Sequence, residues 1–231
     1  MKRRIEICMA VFLVTISSLV SIWSVHTVTS KKIDGNIKVL IDAGHGGNDP
    51  GKVSRDGTLE KDVNLEIALE LGSYLKKQGF EVYYTRQKDE GLYSQGASSK
   101  KAEDLQKRCS IVKNIKPDMM ISIHQNSFED AKVKGAQVFY YATSEKSKQL
   151  GGAIQQGLLE CADANNHRKA KSNDSYYILK KTECPAVIVE CGFLSNAEEC
   201  DKLKSSSYQT KIVKGIYRGI LQYNQSQNSG E

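Results

Sequence analysis

The sequence has no CxxC pair, no internal repeat, no low-complexity tract and no strong excess of charge. Each absence removes a class of protein. Six cysteines at 8, 109, 161, 184, 191 and 200 form neither a compact disulfide framework nor a zinc-finger spacing. Those beyond the first 30 residues are therefore expected as free, mostly buried thiols or a partial set of bridges. A net charge of +6 over 231 residues is too mild to argue for nucleic acid, though it suits an anionic polymer such as cell wall. With 39% apolar and 26% charged residues, the chain is neither disordered nor fibrous.

One long hydrophobic run is present, at the start. Met1-Lys-Arg-Arg4 precedes a mostly apolar stretch from Ile5 to Val28. Residues 1–29 read as a signal peptide or membrane anchor: the basic end stays in the cytoplasm, and Ile7 to Val28 is long enough to span a bilayer. No small-x-small cleavage site stands out before Ser30, which favours an uncleaved anchor. The rest is then exported to the extracytoplasmic face of the membrane, as a polar linker over 30–36, one domain over 37–225 and a disordered tail over 226–231.

Within that domain apolar runs alternate with helical spacing. Lys38 to Asp42 reads as a strand, followed by a helix from Glu60 with Val63, Ile67, Leu71, Tyr74 and Leu75 on one face, ended by Gly79. Phe80–Thr85, Asp118–His124, Gly135–Tyr141 and Pro185–Glu190 read as strands, and Tyr176–Leu179 as a short one. Glu103–Asn114, Ser144–Ala162, 197–204 and 208–223 read as helices, with Ser144 as a cap. Residues 86–101 and 163–175 read as loops. This pattern implies the α/β class: a twisted, mainly parallel sheet covered by helices on both faces. In such sheets the site lies outside the carboxyl ends of the strands.

Three strand ends carry chemistry. Val39-Leu40-Ile41-Asp42 stops in Ala43-Gly44-His45-Gly46-Gly47, the run to Ile123 stops at His124, and the run to Val189 stops at Glu190. Glu60 opens the helix after the first of them. Glycines 44, 46 and 47 give the backbone access to positive φ and leave space around an imidazole. Two imidazoles and a carboxylate suit zinc with a fourth position open, while a second carboxylate can act as general base. Glu60 is the expected ligand and Glu190 the expected base, although spacing alone does not separate them. Asp42 and Asp49 are rival ligands beside His45, and Asp42 could equally orient an imidazole through its free N–H. His167 lies in a polar basic loop and reads as solvated, and His26 belongs to the hydrophobic segment.

Ile41-Asp-Ala-Gly-His45-Gly-Gly with Asp49-Pro-Gly51, Glu60 before Asn64, Ser122-Ile-His124-Gln-Asn126 and Val189-Glu190-Cys-Gly-Phe-Leu-Ser-Asn196 resemble the four blocks of the zinc-dependent N-acetylmuramoyl-L-alanine amidases, the amidase type 3 family. The likeness runs in order over about 38–222. It implies cleavage of the amide between the lactyl group of N-acetylmuramic acid and L-alanine in peptidoglycan. It implies zinc on His45, Glu60 and His124, with Glu190 as the catalytic glutamate. Arg86 and Arg108 match family positions with a substrate or loop-support role, and Asn126 belongs to the same set. Gln125 stands where the family often has alanine, which is expected to alter the cleft wall.

The loops at 86–101 and 142–175 are too short for the long autoinhibitory helix of the division amidases, and no wall-binding repeats follow residue 225. A compact anchored enzyme is similar to the sporulation branch, which helps make muramic-δ-lactam in spore cortex. That branch implies a dedicated activator or membrane partner. A general wall autolysin and a non-catalytic wall-binding protein of the same fold are the alternatives. A metallocarboxypeptidase would need a His-x-x-Glu pair, but position 48 is Asn. A glycosidase using Glu60 and Glu190 would leave both strand-end histidines without purpose.

Overall fold

Apolar runs without helical spacing become the buried strands. In the computed structural model, which describes residues 37–228, β1 (Lys38–Ala43), β3 (Met119–Asn126) and β6 (Ala186–Phe193) form the middle of one six-stranded sheet. β2 (Glu81–Tyr84) flanks β1, while β4 (Gln137–Tyr140) and then β5 (Lys171–Ser172) lie beyond β6. The order is β2-β1-β3-β6-β4-β5. β1 runs parallel to β2 and β3, and β3 runs parallel to β6; β4 is antiparallel to β6. The sheet is thus mainly parallel, as expected. The expected signal or anchor over 1–29, the linker over 30–36 and residues 229–231 lie outside the described residues, with Cys8 and His26.

Helices cover both faces, which is why the central strands read as unbroken apolar runs rather than alternating ones. On one face α1 (Glu60–Lys77), α3 (Glu145–Cys161) and α6 (Ser206–Asn228) pack Ile67, Leu71, Ile154 and Ile216 onto Val39, Ile41, Ile121 and Val187. On the other, α2 (Lys100–Ile115) and α4 (Tyr177–Lys181) pack Val112, Ile178 and Leu179 onto Leu40, Met120 and Ile188. Each fully buried aliphatic side chain contributes about 1.5–3 kcal/mol. α3 and α6 approach closely through glycine: a Cβ on Gly157 would lie 2.2 Å from the Gly215 carbonyl oxygen. A short α5 (Ala197–Leu203) is capped by Asn196, whose side chain accepts from the Glu199 amide.

Three local expectations are corrected. Residues 176–179 are not a strand: Asn173 Oδ1 accepts from the amides of Ser175 and Tyr176, and this turn starts the helix α4, which buries Ile178 and Leu179. The loop over 163–175 contains β5, whose residues pair with Phe139 and Tyr140. The last helix runs to Asn228, past the expected domain end, because Ser226 Oγ bonds the Tyr223 carbonyl and Gln227 reaches Gln149 on α3. No helix among the described residues is long and apolar enough to cross a membrane.

From β1 the chain steps outward to β2 on one side, and β3 lies on the other. β1 and β3 therefore flank the topological switch point, where a crevice opens beyond their carboxyl ends. Those two ends carry His45 and His124.

Candidate active site

Past Ala43 the chain leaves the sheet in a tight turn. His45 sits at φ 61°, followed by Gly46 at 132° and Gly47 at 57°. Positive φ is costly for a side-chain-bearing residue, so the turn must be held by its surroundings. Arg86 and Arg108 do this. Arg86 donates to the carbonyls of Ala43 (2.9 Å) and Gly44 (3.0 Å), and Arg108 to those of Ala43 (2.8 Å) and His45 (2.7 Å). From outside, Asp89 accepts from the Gly47 amide at 2.8 Å and the Tyr93 hydroxyl accepts from the Asn48 amide at 2.9 Å. Gly44 has a different role: a Cβ there would lie 2.2 Å from the His124 ring, so its missing side chain is the space that His124 occupies.

The turn aims His45 at Glu60. His45 Nε2 lies 3.2 Å from Glu60 Oε1, and His124 Nδ1 lies 3.0 Å from the same oxygen. The imidazole rings meet edge to face with centroids 5.0 Å apart. Glu60 is further fixed by the Lys52 amide at 2.8 Å, the Gln125 amide at 3.1 Å and Asn64 Nδ2 at 3.4 Å. Burial works against its charge, but the two histidines outweigh burial and hold its carboxyl well below the usual range. Burial likewise opposes a charged His45, yet Glu60 and then Asp49 lift its pKa to about 9.

One ligand atom from each of His45, Glu60 and His124 falls within 4.8 Å of the others. Ligand bonds of 2.0–2.2 Å around a tetrahedral zinc put neighbouring donors roughly 3.3 Å apart. The separations of 3.0 and 3.2 Å fit that ion, and two imidazoles with one carboxylate are the donor set of a hydrolytic zinc centre. Asp49 is not in the cluster. Its Oδ2 lies 2.8 Å from His45 Nδ1, the outer-shell contact that selects a tautomer and presents Nε2. Burial tends to raise the Asp49 pKa, but His45, the Gly51 amide and Lys101 together lower it.

Glu190 lies in register beside His124 in the parallel β3–β6 pair, which puts both side chains on the same edge. Two residues of β3 then face three of β6, since His124 pairs with Glu190 but Asn126 with Phe193, and such a bulge re-aims the strand end. Glu190 is 6% exposed. Burial is the main cause that lifts its pKa to about 7, with His124 opposing and Glu60 adding to the rise. Tyr176 donates to Glu190 Oε1 at 3.4 Å, while Oε2 is buried with no hydrogen-bond partner among the described residues.

Other expected site residues do different work. Asp42 touches no imidazole. Its carboxylate accepts from Arg108 Nη1 (2.5 Å), Ser122 Oγ (2.6 Å) and Thr85 Oγ1 (2.8 Å). Burial pushes its pKa up, but Arg108, then Ser122, His124 and Thr85, bring it down to about 2. Asp42 thus anchors Arg108, and the carboxylate that orients an imidazole is Asp49. Arg86 and Arg108 spend their donors on backbone carbonyls, Asp42 and Asp104, which makes them supports of the turn. Asn126 Oδ1 accepts from the Ser127 amide at 2.7 Å. Gln125 does not line the cleft wall: it is buried below the site, where its Nε2 donates to Asn64 Oδ1 at 3.1 Å. His167 lies outside the metal-binding group.

Sequence reasoning missed the contact of Tyr176 with Glu190, because the polar tract before Tyr176 hides the turn that presents the ring. Asn64 had a signal, since it stands one helical turn after Glu60 and so shares its face.

Fold and site together define an amide hydrolase working at the carboxyl edge of an α/β sheet. The family profile for N-acetylmuramoyl-L-alanine amidase (amidase 3) matches residues 39–222, and the chain belongs to this family. It is similar to the germination-specific N-acetylmuramoyl-L-alanine amidase of Bacillus subtilis (strain 168), at 38% identity over 197 residues, 84% of this chain and 82% of that protein. N-acetylmuramoyl-L-alanine amidase LytC of the same strain is 30% identical, over 80% of this chain and 35% of that protein. Among solved structures, the CwlD amidase from Clostridioides difficile, in complex with the GerS lipoprotein, matches with a TM-score of 0.80 and 41% identity, covering 83% of this chain and 100% of that one.

Proposed function

We propose that this amidase acts on spore-cortex peptidoglycan, with zinc on His45, Glu60 and His124 and with Glu190 as general base, in the maturation that forms muramic-δ-lactam for germination. The observation that carries the catalytic assignment is the buried Glu190 Oε2, without a hydrogen-bond partner among the described residues, beside the His–Glu–His cluster. The cortex assignment is supported by the likeness to a germination-specific amidase.

Zinc, when bound, supplies Lewis-acid polarisation of the scissile carbonyl. Glu190, ionised, takes a proton from the attacking water at Oε2 as the water oxygen bonds the lactyl carbonyl carbon. The same carboxyl then gives that proton to the amide nitrogen as the C–N bond breaks. The products are a lactyl carboxylic acid and a peptide with a free L-alanine amino group. Burial serves this role, because a base with a pKa near the working pH is both available and strong enough. Tyr176 engages Oε1 and leaves Oε2 for the water.

The same reading puts the enzyme outside the cytoplasm, at the cell wall or in the forespore intermembrane space, held by residues 1–29. It also gives the enzyme an activator, on the analogy of the lipoprotein bound by the Clostridioides difficile relative. The test is digestion of purified vegetative and cortex peptidoglycan by the zinc-loaded protein, with products identified by mass spectrometry. Peptides beginning with L-alanine are expected, released faster from cortex. Equal release from both walls makes the protein a general autolysin, and released sugars or shortened peptides overturn the catalytic reading.

A further inference from the structure

Beside the metal-binding cluster a cavity of about 300 Å³ opens toward the start of α2, lined among others by His45, Asn48, Tyr93, Lys100, Lys101 and Arg108. This is the lower end of the size range for specific ligand pockets. Its charged lining is almost fully paired. Asp42 and Asp104 are taken by Arg108, and Asp49 is taken by His45. Arg108 in turn spends its remaining donors on backbone carbonyls. The exceptions are Lys100 and Lys101, which form no ion pair among the described residues.

Both lysines are exposed, and each has a neighbour in the pocket. Lys100 Nζ lies 5.4 Å from the centroid of the Tyr93 ring, and that ring is fixed because its hydroxyl accepts from the Asn48 amide. Lys101 is within electrostatic reach of Asp49. Both residues occupy the first turn of a 16-residue helix capped by Ser99. The same turn carries Glu103, which favours the helix dipole. Lys100 and Lys101 are thus the cations without an ion-pair partner, among the described residues, in the pocket that reaches His45.

We propose that Lys100 and Lys101 form a subsite for a carboxylate of the stem peptide, close to the scissile amide, and so make the enzyme select stems with a free carboxylate over stems carrying a carboxamide there. The inference rests on the amidase reading above. In peptidoglycan the residue after L-alanine carries such a group, either free or amidated. Two ammonium donors distinguish the forms, because a charge-assisted hydrogen bond is about twice as strong as a neutral one. An amide also presents an N–H that these cations cannot accept.

The experiment uses the full chain loaded with zinc, with two soluble glycan-peptide fragments that differ only in a carboxylate or a carboxamide on the residue after L-alanine. Binding is measured by calorimetry in the Glu190→Gln variant, and hydrolysis is measured in the parent. The carboxylate fragment is expected to bind roughly tenfold more tightly, as one charge-assisted contact implies. The preference should appear in KM with kcat little changed. Combining Lys100→Gln with Lys101→Gln should lower its binding to the level of the carboxamide fragment, at an unchanged melting temperature. Equal binding of the two fragments by the parent overturns the subsite, as does a preference that survives the double substitution. If neither fragment yields L-alanine amino termini, the amidase reading itself fails, while the binding comparison still decides the subsite.

Discussion

Asp49 Oδ2 lies 2.8 Å from His45 Nδ1 and thereby turns the other ring nitrogen, Nε2, toward Glu60 Oε1 at 3.2 Å. With Nδ1–H held by the carboxylate, Nε2 is the nitrogen that gives its lone pair to a metal once its proton is lost. Asp49→Ala is expected to weaken zinc binding by about 10–100-fold, the usual cost of losing an outer-shell partner. Competition against a chelator of known affinity measures this. An unchanged zinc affinity would mean that the turn alone orients His45.

Glu190 has the opposite role, since nothing needs to hold Oε2 until water arrives. Glu190→Gln is expected to reduce kcat by about 10²–10⁴-fold and to keep its zinc, read by atomic absorption. Only the ionised carboxylate takes a proton, so the rate should rise with pH through the Glu190 pKa. That pKa is about 7 in the metal-free site, and a bound cation favours the ionised form, so the acid limb should lie at or below this value. An acid limb that persists unchanged in Glu190→Gln would exclude Glu190 as the base.

The buried Asp42–Arg108 pair supports the turn from beneath. Arg108→Leu leaves Asp42 charged, buried and unpaired, and is expected to cost about 3–5 kcal/mol in urea unfolding. The pH dependence adds a sign. The folded pKa of Asp42 is lowered from 3.8 to about 2, so its contribution of about 2 kcal/mol is present above pH ~4 and lost as pH falls through ~2. In Arg108→Leu burial instead raises the Asp42 pKa above its unfolded value, so the variant should gain stability on acidification above pH ~4 and level off below it.

Gly44 tests the packing of the metal-binding cluster directly. A Cβ at this position would sit 2.2 Å from His124 Cε1 and Nε2, so Gly44→Ala must displace the ring. Far-UV circular dichroism should be unchanged, and zinc affinity should fall by about tenfold or more. Gly57, whose added Cβ would meet nothing within 4 Å, serves as the comparison: Gly57→Asn, a residue that tolerates its φ of 87°, should leave zinc affinity unchanged.

His45, His124 and Glu190 were legible in the chain because each ends an apolar run, and a parallel sheet brings the carboxyl ends of such runs to one edge whatever the loop details. Glu60 followed from helical spacing, since it opens the helix after β1. The places of the longer helices and the mainly parallel sheet came from the same two periodicities. Residues 176–179 were misread because Tyr-Tyr-Ile-Leu suits a strand as well as a helix, and only the Asn173 turn decides between them.

By itself the sequence determined which side chains could meet at the sheet edge, because backbone periodicity and strand direction are local properties. Only the tertiary structure decided what those side chains touch. It assigned Asp49 rather than Asp42 to the imidazole, turned Arg86 and Arg108 onto backbone carbonyls, placed Gln125 beneath the site and set Tyr176 on Glu190. The physical reason is reach. A long polar side chain can satisfy its hydrogen bonds in several directions, and its choice depends on groups brought near by the fold from distant parts of the chain.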